Sequence, residues 1–569
     1  KVLFFAGVND GIIPKHGGKA GLLSESDREF LDSRQVALAP TARESMYIQR
    51  FYLYLNLTKP SRCLYLSYAQ SNAQGQAQSP AYLIALILRM YPKLVIQDNP
   101  KDEISQMQMA QQATEILLAG LRKDGEQQQN DGWRELFSWY LRSKEWKEQC
   151  LRWIRAAYEG APESSIGKAA AVALYGKELE NSATELERFA ACAFAHFLQY
   201  GLKIEERQEY EFRQADLGNV IHQALEQFSR NLKKNRLTWR SLTDQERDQL
   251  IDTSVEETIH DYGNTILESS ARNQYMILRV KRILRRTVWA LQQQLKAGKY
   301  EPSRFEISFS MEEDLKASNF QLSEDERLRL RGRIDRVDRY EEDDTIYVKV
   351  IDYKSGNTAL DLTSVYHGLQ LQLIVYLNAA LELEEKNHPG KHAEPAGMFY
   401  YHVKDPLVDG KPGDEEEEIE RKLLEKLKVD GLVRAEEKIL KDLDRELEAG
   451  KKSLVIPAAY NKNGSLSSRS KTASKEQFEE LCAYVNDKIC ENGTRILGGE
   501  MEKNPYKLKQ RTACDYCSFK EICGFDEKQE GNSFRRLPTF SDEELWKKMR
   551  EKGEKEDGNE VDTGTAEGH

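Results

Sequence analysis

The chain has 569 residues, enough for several domains, and its 40% hydrophobic and 31% charged composition suits a largely helical globular protein. No run approaches the ~20 apolar residues needed to span a bilayer and no secretory signal is visible, so no membrane partner and a cytoplasmic location are expected. The net charge of −11 does not exclude DNA, because charge acts locally and much of the excess sits in the run from Asp414 to Glu418 and in the tail after Phe540.

Residues 1–80 read as α/β. Val2–Ala6 has a buried-strand pattern directly after Lys1, which suggests a fragment whose upstream part is missing. Arg50–Thr58 is helical in pattern, Cys63–Tyr68 is a second strand, and the Gln/Ser/Ala-rich stretch Ala69–Pro80 reads as a linker. Residues 81–181 are expected to be helical, with Trp133, Phe137, Trp139 and Tyr140 in the core.

A third unit, 182–539, is expected to run from a helix at Thr184–Tyr200 through a helix at Gly218–Asn231 and long helices to about Lys299. Strands follow at Phe305–Phe309, Leu328–Tyr340 and Ile346–Tyr353, then a helix at Leu362–Glu382 and a strand at Gly397–Val403. Residues 540–569 are charged and nearly free of apolar residues, which reads as a disordered acidic tail.

The chemistry concentrates in Gly332-Arg333-Ile334-Asp335 and Val350-Ile351-Asp352-Tyr353-Lys354. Side chains alternate along a strand, so Asp352 and Lys354 share a face with Tyr353 opposite. Antiparallel pairing through a turn at Glu341–Asp344 would bring Asp335 beside Asp352. Two carboxylates at one point suit a hard cation such as Mg²⁺ or Mn²⁺, and a neighbouring lysine can offset charge on a phosphate under attack. Taken singly, each aspartate would more often be an exposed charge on an edge hairpin.

In order along the chain stand Gly218-x-x-x-His222, Gly332-x-x-Asp335, Asp352-x-Lys354 and Gln372-x-x-x-Tyr376. This set resembles the motifs of the RecB-family nucleases of PD-(D/E)XK type, and so implies an α/β, restriction-endonuclease-like core with large helical additions. The resemblance implies that His222, Asp335, Asp352 and the backbone carbonyl of Tyr353 bind the metal. It makes Lys354 the catalytic lysine and gives Gln372 and Tyr376 the task of positioning it and the DNA strand.

Of the eight cysteines, Cys514-x2-Cys517-x5-Cys523 lie close enough to need a metal, and three ligands leave a fourth to find. Cys192 is the best candidate, and Cys482 and Cys490 are alternatives that read more as ordinary helix thiols. Cys63, in a strand, and Cys150, in a helix, read as core. One cysteine before the nuclease motifs and three after them is similar to the iron-staple layout of AddB-like, Cas4-like and Dna2-like nucleases, which implies a 4Fe–4S cluster with a structural role. Zinc is the rival, but it usually pairs two short Cys knuckles and this chain has one. Where that layout usually has Pro after the first cysteine, this chain has Ala193.

Val2–Pro14 and Phe51–Tyr68 resemble late segments of superfamily 1 helicase motors, with Lys59 where active motors carry an ATP-contacting Arg. No phosphate-binding loop of the G-x-x-x-x-G-K-[ST] kind is present, so ATP would belong only to a longer, full-length subunit. Together the resemblances, over about residues 1–68 and 182–526, are to the C-terminal part of AddB-type subunits of bacterial helicase–nucleases. They imply a partner of AddA type and a Mg²⁺-dependent exonuclease that cuts the 5′-terminated single strand during double-strand-break repair. They also imply an inactive motor portion that helps recognise the regulatory Chi sequence. Arg279, Arg282, Arg285 and Arg286 on one helix, and Lys507 and Lys509 before the cysteines, are candidate phosphate contacts, with a solvated face as the alternative. The rival functions are a DNA-binding scaffold with a silent nuclease centre and a stand-alone Cas4-like nuclease.

Overall fold

The computed structural model describes residues 1–13, 23–36, 38–72, 76–97, 109–121, 130–158, 164–207, 214–261, 270–309, 315–410, 415–528 and 531–560. Pro14, Asp414, part of the 69–80 linker and the tail beyond Glu560 therefore lie outside the described residues. The chain forms two compact units, Lys1–Gly160 and Ala161–His569.

In the first unit, β1 (Val2–Phe5) pairs in parallel with β2 (Cys63–Leu66). The pair packs with the helices Ala42–Leu57 and Tyr82–Met90 around Val8, Ala81, Leu83 and Ile84. Asn9, nearly fully buried, fixes the following loop with side-chain hydrogen bonds to and from Ala69 and to the Ser79 carbonyl. Cys63 is exposed, contrary to the core position expected, because the faces of β2 are left uncovered from Cys63 to Tyr65. Three helices, Ala110–Leu121, Asp131–Arg142 and Lys147–Tyr158, close on Leu117, Trp133, Tyr140 and Cys150. Trp133 and Tyr140 are buried as expected, but Trp139 is 49% exposed because consecutive residues on a helix face different sides.

The second unit begins earlier than the expected boundary at residue 182. The reason is β3 (Glu178–Ser182), which pairs in parallel with residues Arg327–Arg331 deep in this unit. The unit is built on a six-stranded mixed sheet. Its strands are β4 (Glu301–Ser308), β7 (Arg333–Glu342), β8 (Thr345–Lys354), β9 (His392–His402), β10 (Asp430–Arg434) and β11 (Thr472–Ala473), in the order β11-β10-β9-β8-β7-β4. β5 (Asn319–Gln321) and β6 (Arg327–Arg331) join β3 in a small sheet.

The central β8 is buried on both faces, as its apolar run requires. Val348 and Val350 pack under the helices Gln372–Asn387 and Lys475–Leu497. Ile351 and Tyr353 pack under the helices Gln214–Lys234 and Ala271–Ala297.

Several expected elements are divided. The strand over 328–340 breaks at Gly332 into β6 and β7, which belong to different sheets. A Cβ on Gly332 would lie 2.4 Å from the Phe309 ring, so only glycine lets the chain cross there. The helix over 362–382 divides into Leu362–Tyr366 and Gln372–Asn387 around Gly368, whose φ of +75° turns the chain. The helix over 184–200 breaks at Cys192, which is extended, between Ala183–Ala191 and Ala193–His196. The expected disordered tail is in its first part a helix, Asp542–Glu560, because Leu545, Trp546 and Met549 bury one face. The sparse apolar residues there sit at helical spacing, a pattern that composition alone hides.

Candidate active site and cysteine centre

Register brings the acidic strands together. Arg336 stands opposite Ile351 in the antiparallel β7–β8 pair, so the next residues along, Asp335 and Asp352, share one face at the strand ends. The backbone N–H of Tyr353 donates to Asp335 Oδ2 at 2.7 Å. His222, on the Gln214–Lys234 helix, places Nδ1 3.4 Å from Asp335 Oδ2 and 3.9 Å from Glu306 Oε1.

Sequence motifs alone miss Glu306. It lies on β4 with a φ of +48°, between the Phe305–Arg336 and Ile307–Ile334 pairs, hence against Asp335. Its only sequence signal is an acidic residue between the apolar Phe305 and Ile307. His222, Glu306 and Asp335 offer ligand atoms all within 4.8 Å of one another. The gathered group shares His222 and Asp335 with the expected set, adds Glu306, and leaves Asp352 and the Tyr353 backbone outside it.

Asp352 is buried, and burial followed by the neighbouring Asp335 pushes its carboxyl up to about 7. Lys354 Nζ lies 2.7 Å from Asp352 Oδ2 without hydrogen-bond alignment, and that oxygen has no hydrogen-bond donor. Lys354 instead donates to Gln372 Oε1 at 2.8 Å, and Gln372 Nε2 donates to the Tyr376 hydroxyl at 2.8 Å. Burial opposes a charged His222, but Asp335 and Glu306 outweigh it and raise the imidazole to about 10. The carboxylates of Glu306, Asp335 and Asp352 with one imidazole make a donor set that can hold a divalent cation.

Cys192, Cys514, Cys517 and Cys523 line one cavity of about 410 Å³ with Phe194, Phe519 and Phe534. Burial and then the Cys192, Cys517 and Cys523 sulfurs push Cys514 up to about 11, and burial raises Cys192. The helix break at Cys192 frees two backbone donors, which the C-terminal segment satisfies: Ala193 N bonds Asn504 Oδ1 at 3.1 Å and Phe194 N bonds the Glu502 carbonyl at 3.1 Å. Cys482 and Cys490 lie on the Lys475–Leu497 helix and do not line this cavity. Four thiols around one apolar-walled cavity fit a thiolate-held centre.

The candidate DNA contacts divide. Arg285 pairs with Asp252 at 2.5 Å, Arg282 with Asp405 at 2.5 Å, and Arg286 lies 3.8 Å from Asp405 and over the Trp289 ring. These three act as struts between elements as well as surface charge. Lys507 lies 3.8 Å from Glu527 and over the Phe534 ring. Arg279 and Lys509 are exposed.

A mixed sheet whose central strand ends in Asp-x-Lys, flanked by a helix histidine and a glutamine helix, has the architecture of a nuclease class. The chain belongs to the PD-(D/E)XK nuclease superfamily, whose family signature matches residues 180–524. Along its whole length it is similar to AddB-type proteins, each named as a subunit of an ATP-dependent helicase/deoxyribonuclease. The relative from Lachnoclostridium phytofermentans is 41% identical over 100% of this chain and 49% of its own length. The relative from Clostridium acetobutylicum is 33% identical over 98% of this chain and 49% of its own. That from Clostridium perfringens (strain SM101) is 33% identical over 97% of this chain and 48% of its own. The chain spans about half the length of the curated relatives it matches.

Proposed function

We propose that this chain is the nuclease-bearing part of an AddB-type subunit of a bacterial helicase–nuclease, and that it hydrolyses phosphodiesters of single-stranded DNA with Mg²⁺ or Mn²⁺. The observation that carries the reading is the Asp352–Lys354–Gln372–Tyr376 chain beside His222, Glu306 and Asp335.

A divalent cation held by His222, Glu306, Asp335 and Asp352 would supply Lewis acidity at the scissile phosphate. Lys354 brings a positive charge to the edge of the acidic group, where negative charge grows on the phosphate during attack. Gln372 fixes that ammonium by accepting its hydrogen bond, and Tyr376 fixes the Gln372 amide in turn. The interior of β8 excludes water beneath the site, which strengthens each of these interactions.

Cys192, Cys514, Cys517 and Cys523 would hold a 4Fe–4S cluster, which supplies a covalent tie. It closes a loop of roughly 320 residues, so one centre pins the beginning of the nuclease region to its end. No helix among the described residues is long and apolar enough to cross a membrane. Processing of chromosomal DNA in bacteria places the proposed activity in the cytoplasm.

In the full subunit, with an AddA-type motor partner and with ATP bound outside this chain, the site would trim the 5′-terminated strand at double-strand breaks. Mg²⁺-dependent digestion of strands labelled at either end tests this. Label released first from 5′ ends supports the assignment, and release first from 3′ ends removes the strand polarity while leaving the nuclease.

A further inference from the structure

Between the cysteine cavity and the catalytic lysine lies one buried carboxylate that the chemistry above does not use. Glu187 sits on the Ala183–Ala191 helix, which ends at Cys192. Its Oε1 accepts the backbone N–H of Leu371 at 2.6 Å and of Gln372 at 3.1 Å. These N–H groups belong to the open N-terminus of the Gln372–Asn387 helix, which has no side-chain cap of its own. Gln372 is also the residue whose amide oxygen holds Lys354 Nζ.

The same short helix is anchored on its other side. Arg188 Nη2 approaches Cys517 Sγ at 3.6 Å, Arg535 donates to the Ala190 carbonyl, and a Cβ on Gly368 would lie 3.3 Å from the Ala190 methyl. The helix is thus wedged between the cysteine centre and the start of the glutamine helix.

We propose that Glu187 is a positioning residue: as the acceptor that caps the Gln372 helix, it sets where Gln372 holds Lys354, and it makes the cysteine-anchored helix part of the active-site frame. This rests on the nuclease reading of Lys354. What matters is the reach of an oxygen acceptor, since the two donors are neutral amides and the contact is through hydrogen bonds. A displacement of the order of an ångström in a group that orients a catalytic side chain costs up to about 100-fold in rate.

Two near-isosteric variants separate reach from charge. Glu187→Gln keeps the reach and loses the charge, whereas Glu187→Asp keeps the charge and withdraws the oxygen by one methylene. In the anaerobically purified full chain, Glu187→Asp is expected to lower kcat for single-stranded DNA roughly 10- to 100-fold with KM unchanged. Iron content and the visible absorbance should stay at wild-type level. Glu187→Gln should stay within about threefold of wild type.

Wild-type kcat in Glu187→Asp, a fall in Glu187→Gln as deep as in Glu187→Asp, or an effect confined to KM would each overturn the proposal. Amide hydrogen exchange at Leu371 and Gln372 is the readout free of catalysis. It should be slow in wild type and Glu187→Gln and fast in Glu187→Asp, and equal exchange in all three would overturn the contact itself. An inactive wild type, by contrast, would strike the nuclease reading and leave the exchange result to decide the role of Glu187.

Discussion

The backbone N–H of Tyr353 is held by the carboxylate of Asp335 at 2.7 Å, so the motif residue on one strand fixes the register of the Asp-x-Lys strand beside it. Asp335 thus holds the strand register, and the proposed site adds a second task, metal ligation, that substitution can separate from the first. Asp335→Ala orphans a buried amide and is expected to cost roughly 1–3 kcal/mol of stability. Asp335→Asn retains an acceptor and should melt close to wild type. Both should lose Mn²⁺ binding. Calorimetric unfolding beside Mn²⁺ titration checks this, and an Asp335→Asn that binds Mn²⁺ as tightly as wild type would contradict the ligand role.

Gly332 lies where two sheets part and where the Phe309 ring closes over the chain. A methyl there also comes within 3.3 Å of the Tyr376 ring. Gly332→Ala is expected to destabilise the nuclease unit by about 1–3 kcal/mol through overpacking. It should also lower activity through Tyr376, and unchanged denaturant midpoint and activity would show that the rings move aside freely.

The C-terminal helix closes the core that contains Trp546. Trp546→Ala should cost roughly 3–5 kcal/mol. It should also make Asp542–Glu560 sensitive to protease in an otherwise folded protein. Equal cleavage of wild type and variant would return this segment to the disordered tail that its composition suggests.

His196 is 1% exposed, and burial followed by the Arg188 charge lowers its pKa from the ordinary 6.5 to about 3. A depressed folded-state pKa contributes stability that is present above the unfolded value and lost as pH falls towards the folded one. Between pH 6.5 and 3 this one group should therefore remove up to about 1.4 kcal/mol per pH unit. The stability lost between pH 7.5 and pH 5 should be smaller in His196→Gln, which cannot take up the proton. Parallel stability–pH curves would contradict this.

Much of the site is legible in the sequence because its residues sit at fixed spacings on single elements. Asp352 and Lys354 alternate on one strand, and Gln372 and Tyr376 are one helical turn apart. Hairpin geometry then places Asp335. Glu306 escapes because its contact depends on a third strand, β4, and on a left-handed backbone at one residue, neither of which leaves a local pattern. Glu187 escapes for a similar reason, since its partners are backbone amides 184 and 185 residues away. The breaks at Cys192, Gly332 and Gly368 fall inside stretches of continuous helical or strand pattern. Periodicity reports which face is buried, and only tertiary contacts fix where an element must turn.

The proposed chemistry has the acidic centre cut DNA with the help of a divalent metal. Its most direct test is Mg²⁺-dependent cleavage of labelled single-stranded DNA by the anaerobically purified chain, beside Asp352→Ala and beside wild type in chelator. Cleavage by wild type with Mg²⁺, and none in either control, is the predicted result. Cleavage that persists in Asp352→Ala at the wild-type rate would contradict it.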